Sequence, residues 1–225
     1  MLLPNNKRYL LYIKTAKTGG TSFLEHLERC GDVKKYDRCN GERKLSDIKE
    51  NDIIMIQNDI LIKFSKEYPE IYRDSYKIII SRNPYTKCIS AYDFLVKRRA
   101  LKDVNAKEKN VKELLMSERY YEYDCSKYDY KIECDEKDWK LFSLFGHFFL
   151  EQSFGLTKED IDDVIRFENL EKDVDDLFKK LDINIKKRMP HRKKSIVPKM
   201  EADEDIKSLI YEKFKKDFEL FDYPK

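Results

Sequence analysis

The amino-acid sequence predicts an α/β fold of three layers, a central parallel sheet flanked by helices, and three segments carry that prediction. Residues 9–13, 76–80 and 163–167 are short strand-like runs, the first two apolar throughout or nearly so, as parallel strands buried on both faces require. Each leads through a polar junction into apolar residues at helical spacing. Strands that alternate with helices build a parallel sheet with right-handed crossovers.

The elements follow in chain order. Tyr9, Leu10, Leu11, Tyr12 and Ile13 form the first strand; Phe23, Leu24, Leu27 and Cys30 mark the helix behind it, with Gly31 as its expected stop. A second apolar strand lies within residues 52–59. After residues 76–80 come Asn83 as N-cap and Pro84 at the first helical position, and then one apolar stripe of Tyr85, Cys88, Ile89, Tyr92, Leu95, Val96 and Arg99. Trp139, Leu141, Phe142, Leu144, Phe145, Phe148 and Phe149 form the densest apolar cluster and read mostly as core. Behind residues 163–167, Leu170, Val174, Leu177, Phe178 and Leu181 repeat at helical intervals. A final helix carrying Ile206, Leu209, Ile210, Phe214 and Phe218 is expected to pack on the sheet.

Composition narrows the classes. The 225 residues contain no Pro/Gly/Ser-rich linker, so one domain over residues 1–225 is expected. Apolar residues make up 41%, enough for a core despite a 40% charged fraction, and the net charge of +3 is too small to argue for a nucleic-acid partner. No run approaches the roughly 20 apolar residues of a membrane span, and Met1-Leu2-Leu3-Pro4 leads into polar Asn5, Asn6 and Lys7. A cytoplasmic location without a membrane segment is expected. Cys30, Cys39, Cys88, Cys125 and Cys134 show no C-x-x-C pair, and their odd number argues against a complete disulfide set. Bridges Cys30 to Cys39 or Cys125 to Cys134 stay open, with reduced thiols expected in cytosol. Three scattered histidines argue against zinc.

The first junction, Lys14 to Ser22, has the chemistry of an anion site. Gly19 and Gly20 allow close backbone approach, first-turn N–H groups lack helical partners, and the helix dipole favours negative charge. Lys17, Thr18, Thr21 and Ser22 add side-chain donors, which suits a phosphate or sulfate ester. A Walker A loop places its lysine after the last glycine, whereas Lys17 precedes the pair, so an ordinary ATP or GTP site is disfavoured. The plain alternative is a strand-to-helix turn with surface lysines. At the second junction Arg82 stands at the carboxyl end of a strand, where open α/β sheets bind ligands, and its fork suits a second phosphate. Ser90 lies off the apolar stripe. Otherwise Arg82 pairs with a carboxylate and Ser90 is a neutral helix residue.

These residues resemble a known family. Lys17-Thr18-Gly19-Gly20-Thr21-Ser22 is similar to the 5′-phosphosulfate loop of sulfotransferases, P-K-T-G-G-T-S, and residues 82–92 resemble their 3′-phosphate motif, R-[ND]-P-x-x-R-x-x-S-x-Y. His147 to Gln152 resembles an H-x-x-x-x-Q element of the carbohydrate (heparan/chondroitin-type) sulfotransferases. Phe167-Glu168-Asn169-Leu170 with Asp173 resembles a late strand-to-helix junction, and residues 218–223 the closing helix. Ala16 replaces the usual proline and Lys87 the usual arginine.

The resemblance implies a P-loop-NTPase-like sulfotransferase fold and transfer of a sulfuryl group from 3′-phosphoadenosine 5′-phosphosulfate (PAPS) to an acceptor hydroxyl, with a carbohydrate as expected acceptor and the 3′,5′-bisphosphate PAP as product. Positioning and electrostatics suffice for that reaction, and no metal is required of the protein. Lys17 would stabilise charge on the leaving phosphate and residues 18–22 would cradle the 5′-phosphate. Arg82 and Ser90 would hold the 3′-phosphate, joined by Arg192 and Lys193, with Lys194, from the basic run at 186–195. Many glycan-acting relatives carry a histidine base just beyond the second strand. Gln57 and Asn58 stand there here and take no proton. Asp59 is the first candidate base, His147 the second, and Glu25 and His26 follow. Asp59 is equally readable as a capping aspartate, and His147 as a buried core histidine. Tyr120, Tyr121, Tyr123, Tyr128 and Tyr130 lie in a charged stretch readable as an acceptor groove or as a solvated cover of the sheet. Three other functions stay open: a non-catalytic polyanion-binding module, a P-loop-like nucleotide kinase and a tyrosyl-protein sulfotransferase.

Overall fold

The computed structural model describes residues 1–31, 33–36, 48–97, 111–116, 149–184 and 203–225. Its strands are β1 (Tyr9–Lys14), β2 (Val33–Tyr36), β3 (Ile53–Gln57), β4 (Ser75–Ser81) and β5 (Asp163–Arg166). The helices are α1 (Gly20–Cys30), α2 (Leu61–Glu67), α3 (Pro69–Arg73), α4 (Pro84–Lys97), α5 (Val111–Met116), α6 (Leu170–Lys180), α7 (Glu204–Lys213) and α8 (Lys215–Leu220).

The strands form one sheet in the order β2-β3-β1-β4-β5, and every neighbouring pair is parallel. The three interior strands are buried along nearly their whole length, which explains why they read as continuous apolar runs. β2 escapes a sequence reading because Val-Lys-Lys-Tyr has no apolar run; it is an edge strand whose lysines suit a half-covered rim. The chain extends the sheet from β1 toward β2 and β3, then crosses to β4 on the other side. That reversal puts the switch point of the sheet at the carboxyl ends of β1 and β4, where ligands bind in open α/β sheets.

The described residues fall into two compact units. The first, Met1–Arg82 with Gln152–Lys194, contains the sheet. On one sheet face Phe23, Leu24 and Leu27 of α1 and Val174, Leu177 and Phe178 of α6 pack against Leu10, Tyr12, Met55, Tyr76, Ile78 and Ile80. Each such side chain contributes about 1.5–3 kcal/mol by leaving water, whereas an exposed pair such as Arg8 with Glu50 contributes about 0–1. The core therefore dominates, despite the highly charged surface. α1 ends at Gly31 as expected, yet Gly31 is extended rather than left-handed, so it stops the helix without using glycine's special freedom.

The second unit is Asn83–Glu151 with Ser195–Lys225. Asn83 Oδ1 accepts from the Tyr85 N–H at 2.9 Å, so the cap ahead of Pro84 forms as the sequence predicts. The predicted final helix is two helices, α7 and α8, separated at Phe214. Ile206, Ile210, Phe214 and Phe218 cluster with Cys88 of α4 and Leu115 of α5. Cys88 is buried, and burial pushes its thiol up to about 12.

Several expectations lie outside the described residues: His147, the tyrosines at 120–130, the apolar cluster at 139–148, the basic run with Arg192, Lys193 and Lys194, and Cys39, Cys125 and Cys134. Among the described residues no helix is long and apolar enough to cross a membrane.

His26 gives this fold a pH dependence. Its ring is buried and stacks on Phe178, with centroids 5.2 Å apart and planes 5° from parallel, and Nδ1 has no hydrogen-bond partner. Burial, then the Arg29 charge, hold the imidazole below its usual value near 6.5, and Asp175 opposes them. The unfolded chain therefore binds the proton more readily. Stability from this site is complete above about pH 6.5 and declines as pH falls toward the folded value. Chemical unfolding between pH 8 and 5 should show that decline, and His26→Phe, which keeps the stack and needs no proton, should remove its share. An unchanged pH slope in His26→Phe would contradict the assignment.

Candidate active site

The chain leaves β1 through Thr15 and Ala16 and enters α1 at Gly20, so the lysine-glycine loop stands on the carboxyl edge of a central strand. Its conformation is fixed from beneath. Thr15 donates its hydroxyl to the Ile80 carbonyl of β4 at 2.9 Å, and with that proton committed, the 2.9 Å contact between the Thr15 and Thr18 hydroxyls takes Thr18 as donor. Thr18, fully buried, shares that one proton with the Thr15 carbonyl, 3.1 Å away. Its hydroxyl thus pins the loop, leaving its backbone N–H as the group it offers an anion. Thr21 is exposed and Ser22 is buried, while Lys17 is half-buried.

Two backbone conformations shape the cradle. Gly19, the N-cap of α1, has φ +82, and a Cβ there would press on Phe167 and Leu170 at 3.0–3.1 Å. Lys17 has φ +63 and is not a glycine. That geometry costs roughly 1–2 kcal/mol for an L-residue. The first turn of α1 carries no acidic side chain to neutralise its positive end. Gly20 answers a different need: a Cβ there would overlap the Tyr12 hydroxyl beneath it.

Arg82 immediately follows β4, which pairs directly with β1. Its guanidinium donates through NH1 to the Lys17 carbonyl at 2.9 Å and lies over the Phe167 ring, 4.3 Å from the centroid. Hydrogen bonds from a charged donor contribute about 1.5–3 kcal/mol, enough to offset the strain at Lys17. Gln152, fully buried, accepts from the Arg82 N–H at 2.7 Å and donates to the Arg82 carbonyl at 2.8 Å. Asp173 ties back to the end of β5, accepting from the Arg166 N–H at 2.8 Å.

The structure therefore brings Lys17, Thr18, Gly19, Gly20, Thr21, Ser22 and Arg82 into one unit and onto adjoining strand ends. Asp59 lies in the turn after β3 at the same edge and is completely buried. Of the secondary base candidates, Glu25 pairs with Arg29 at 2.9 Å, and His26 is buried and stacks on Phe178 of α6. In the second unit Ser90 is buried on α4, its hydroxyl without a hydrogen-bond partner. Lys87 turns inward, donating to the Leu150 carbonyl at 2.6 Å and lying 5.2 Å from the Phe214 ring centroid. The pins Thr15 and Gln152 were not identifiable as such from sequence; Gln152 had a motif resemblance as its only signal, and Thr15 had none.

Comparison with known proteins agrees with this geometry. A model of the sulfotransferase family matches residues 2–224, and the chain belongs to that family. A solved sulfotransferase from Alicyclobacillus acidocaldarius has the same fold, with TM-score 0.54 and 16% identity over 96% of this chain and 94% of the other. No curated protein matches the chain significantly.

The contact beneath Gly20 is testable. Gly20→Ala should destabilise the protein by about 1–3 kcal/mol through overpacking. Tyr12→Phe removes a buried hydroxyl that has no partner, so alone it should be neutral or stabilising, and in combination it should recover part of the Gly20→Ala loss. Additive effects in urea unfolding would sink this account.

Proposed function

We propose that this enzyme moves the sulfuryl group of PAPS to an acceptor hydroxyl on a carbohydrate. The observation that carries the reading is the Arg82 guanidinium seated on the Lys17 carbonyl, since it joins the two phosphate motifs at neighbouring strand ends. Two further features fit the donor. The loop turns at Gly19 and Gly20, where side chains would press on Phe167, Leu170 and Tyr12, and Ser90 holds a buried hydroxyl with unused hydrogen-bonding capacity.

In this reading the N–H groups of residues 18–22 take the 5′-phosphate and the dipole of α1 adds to their field. The Lys17 ammonium neutralises charge as it develops on the bridging oxygen between phosphorus and sulfur, which weakens the bond that breaks. Arg82 and Ser90 take the 3′-phosphate, with Arg192 and Lys193 closing over it. That phosphate distinguishes PAPS from ATP. The acceptor oxygen attacks sulfur in line with the leaving phosphate and gives its proton to Asp59 or His147, and PAP leaves. The carbohydrate acceptor rests on the resemblance of the segment from His147 to Gln152 to glycan-acting relatives.

Calorimetry should find tight binding of adenosine 3′,5′-bisphosphate and weak binding of ATP; equal affinities, or salt-sensitive binding of any polyanion alike, would overturn the donor. Lys17→Ala keeps a Cβ and therefore the same backbone strain, so its expected loss of about 10²- to 10³-fold in transfer rate with an unchanged fold isolates the ammonium. Retained activity would remove Lys17 from the mechanism. Arg82→Ala should weaken bisphosphate binding by about 2–5 kcal/mol. Labelled donor offered to glycan, tyrosine-peptide and small-alcohol pools should mark the glycans; label in peptide alone would reassign the acceptor.

A further inference from the structure

Arg82 lies one residue beyond the strand ladder. The last paired positions of β4 are Ile79 with Ile13 of β1 and Ser81 with Arg166 of β5. Arg82 follows directly on the last of these positions. The Gln152 side chain meets its backbone at two points, its amide oxygen taking the N–H and its amide nitrogen reaching the carbonyl, at 2.7 and 2.8 Å. One buried side chain thus holds both backbone polar groups of Arg82.

We propose that Gln152 is a positioning residue for the phosphate loop: its two-point hold on the Arg82 backbone aims the guanidinium at the Lys17 carbonyl and thereby keeps Lys17 in its left-handed conformation. The inference rests on the reading of Lys17 and Arg82 as the donor site. A planar amide both donates and accepts within one group, which a carboxylate at neutral pH does not. Holding the N–H and the carbonyl together fixes the φ and ψ of Arg82, and the Phe167 ring limits the guanidinium from one face. The remaining direction leads to the Lys17 carbonyl, 2.9 Å away. A strained φ of +63 at Lys17 persists only where its surroundings over-determine it, and the Arg82 contact is that determinant. The relay runs from Gln152 through Arg82 to Lys17 within one unit.

Gln152→Glu tests the relay because it keeps the volume and the acceptor but loses the donor at neutral pH. The readouts are the ¹³Cα and ¹³Cβ chemical shifts of Lys17 in the unliganded protein, which report its φ, and the affinity for adenosine 3′,5′-bisphosphate. At pH 8 the variant should show Lys17 shifts moved away from left-handed values, unmoved α6 shifts, and bisphosphate affinity reduced at least tenfold. Lowering the pH to 5.5 should restore both relative to wild type at the same pH, since the protonated carboxyl regains a donor for the Arg82 carbonyl. A role in packing alone predicts no such rescue.

Unmoved Lys17 shifts in a folded variant, or equal displacement of resonances throughout the sheet, would overturn the proposal. Wild-type protein that binds no bisphosphate, while its Lys17 shifts still answer to Gln152→Glu, would refute the donor assignment and leave the relay standing. Should Gln152→Glu not fold, Gln152→Asn, an amide one methylene shorter, takes its place. Failure of both to fold would mark Gln152 as a core residue and end the proposal.

Discussion

The hydrogen bond from Arg82 to the Lys17 carbonyl is the contact on which the functional half of this molecule depends. It couples the loop after β1 to the residue after β4, two elements that are neighbours only because the strand order reverses there. It also sets against each other two terms of similar size. A left-handed lysine is disfavoured by roughly 1–2 kcal/mol, and a hydrogen bond from a charged donor contributes about 1.5–3. The loop therefore holds its conformation by a narrow margin.

Everything beneath that contact makes the margin dependable. Thr15 and Thr18 spend their hydroxyls on the loop and on β4 rather than on a ligand. The apolar layer of α1, the sheet and α6 fixes the direction of the helix whose amino end faces the site. Phe167 touches both halves, pressing against the space above Gly19 while carrying the Arg82 guanidinium on its face. Packing and polar contacts thus converge on one loop. Membership of the sulfotransferase family gives this arrangement its chemistry, a reaction in which neutralised charge and alignment do most of the acceleration.

The charged surface plays a smaller part than its abundance suggests. Pairs such as Arg8 with Glu50 and Lys112 with Asp205 involve exposed partners, where solvent screens the attraction. They set little of the chain's shape. The second unit makes the same point from the other side, since its order comes from Cys88, Ile206, Ile210, Phe214 and Phe218, buried among helices.

The sequence by itself determined the interior strands, the helix behind β1, the Asn83 cap and the two phosphate motifs, because each depends on local periodicity or on residue chemistry at short spacing. It passed over β2, since an edge strand with one half-covered face needs no apolar run to mark it. It could not show that Ile206, Ile210, Phe214 and Phe218 would cluster with Cys88 of α4 and Leu115 of α5, because an apolar stripe does not name the surface it will cover. Only the tertiary structure decided that His26 belongs to the core, that Thr18 turns its hydroxyl inward, and that Gln152 holds both backbone polar groups of Arg82. Those outcomes depend on contacts across 3 to 152 positions of chain, and a donor's choice of acceptor is made only once folding has brought both together.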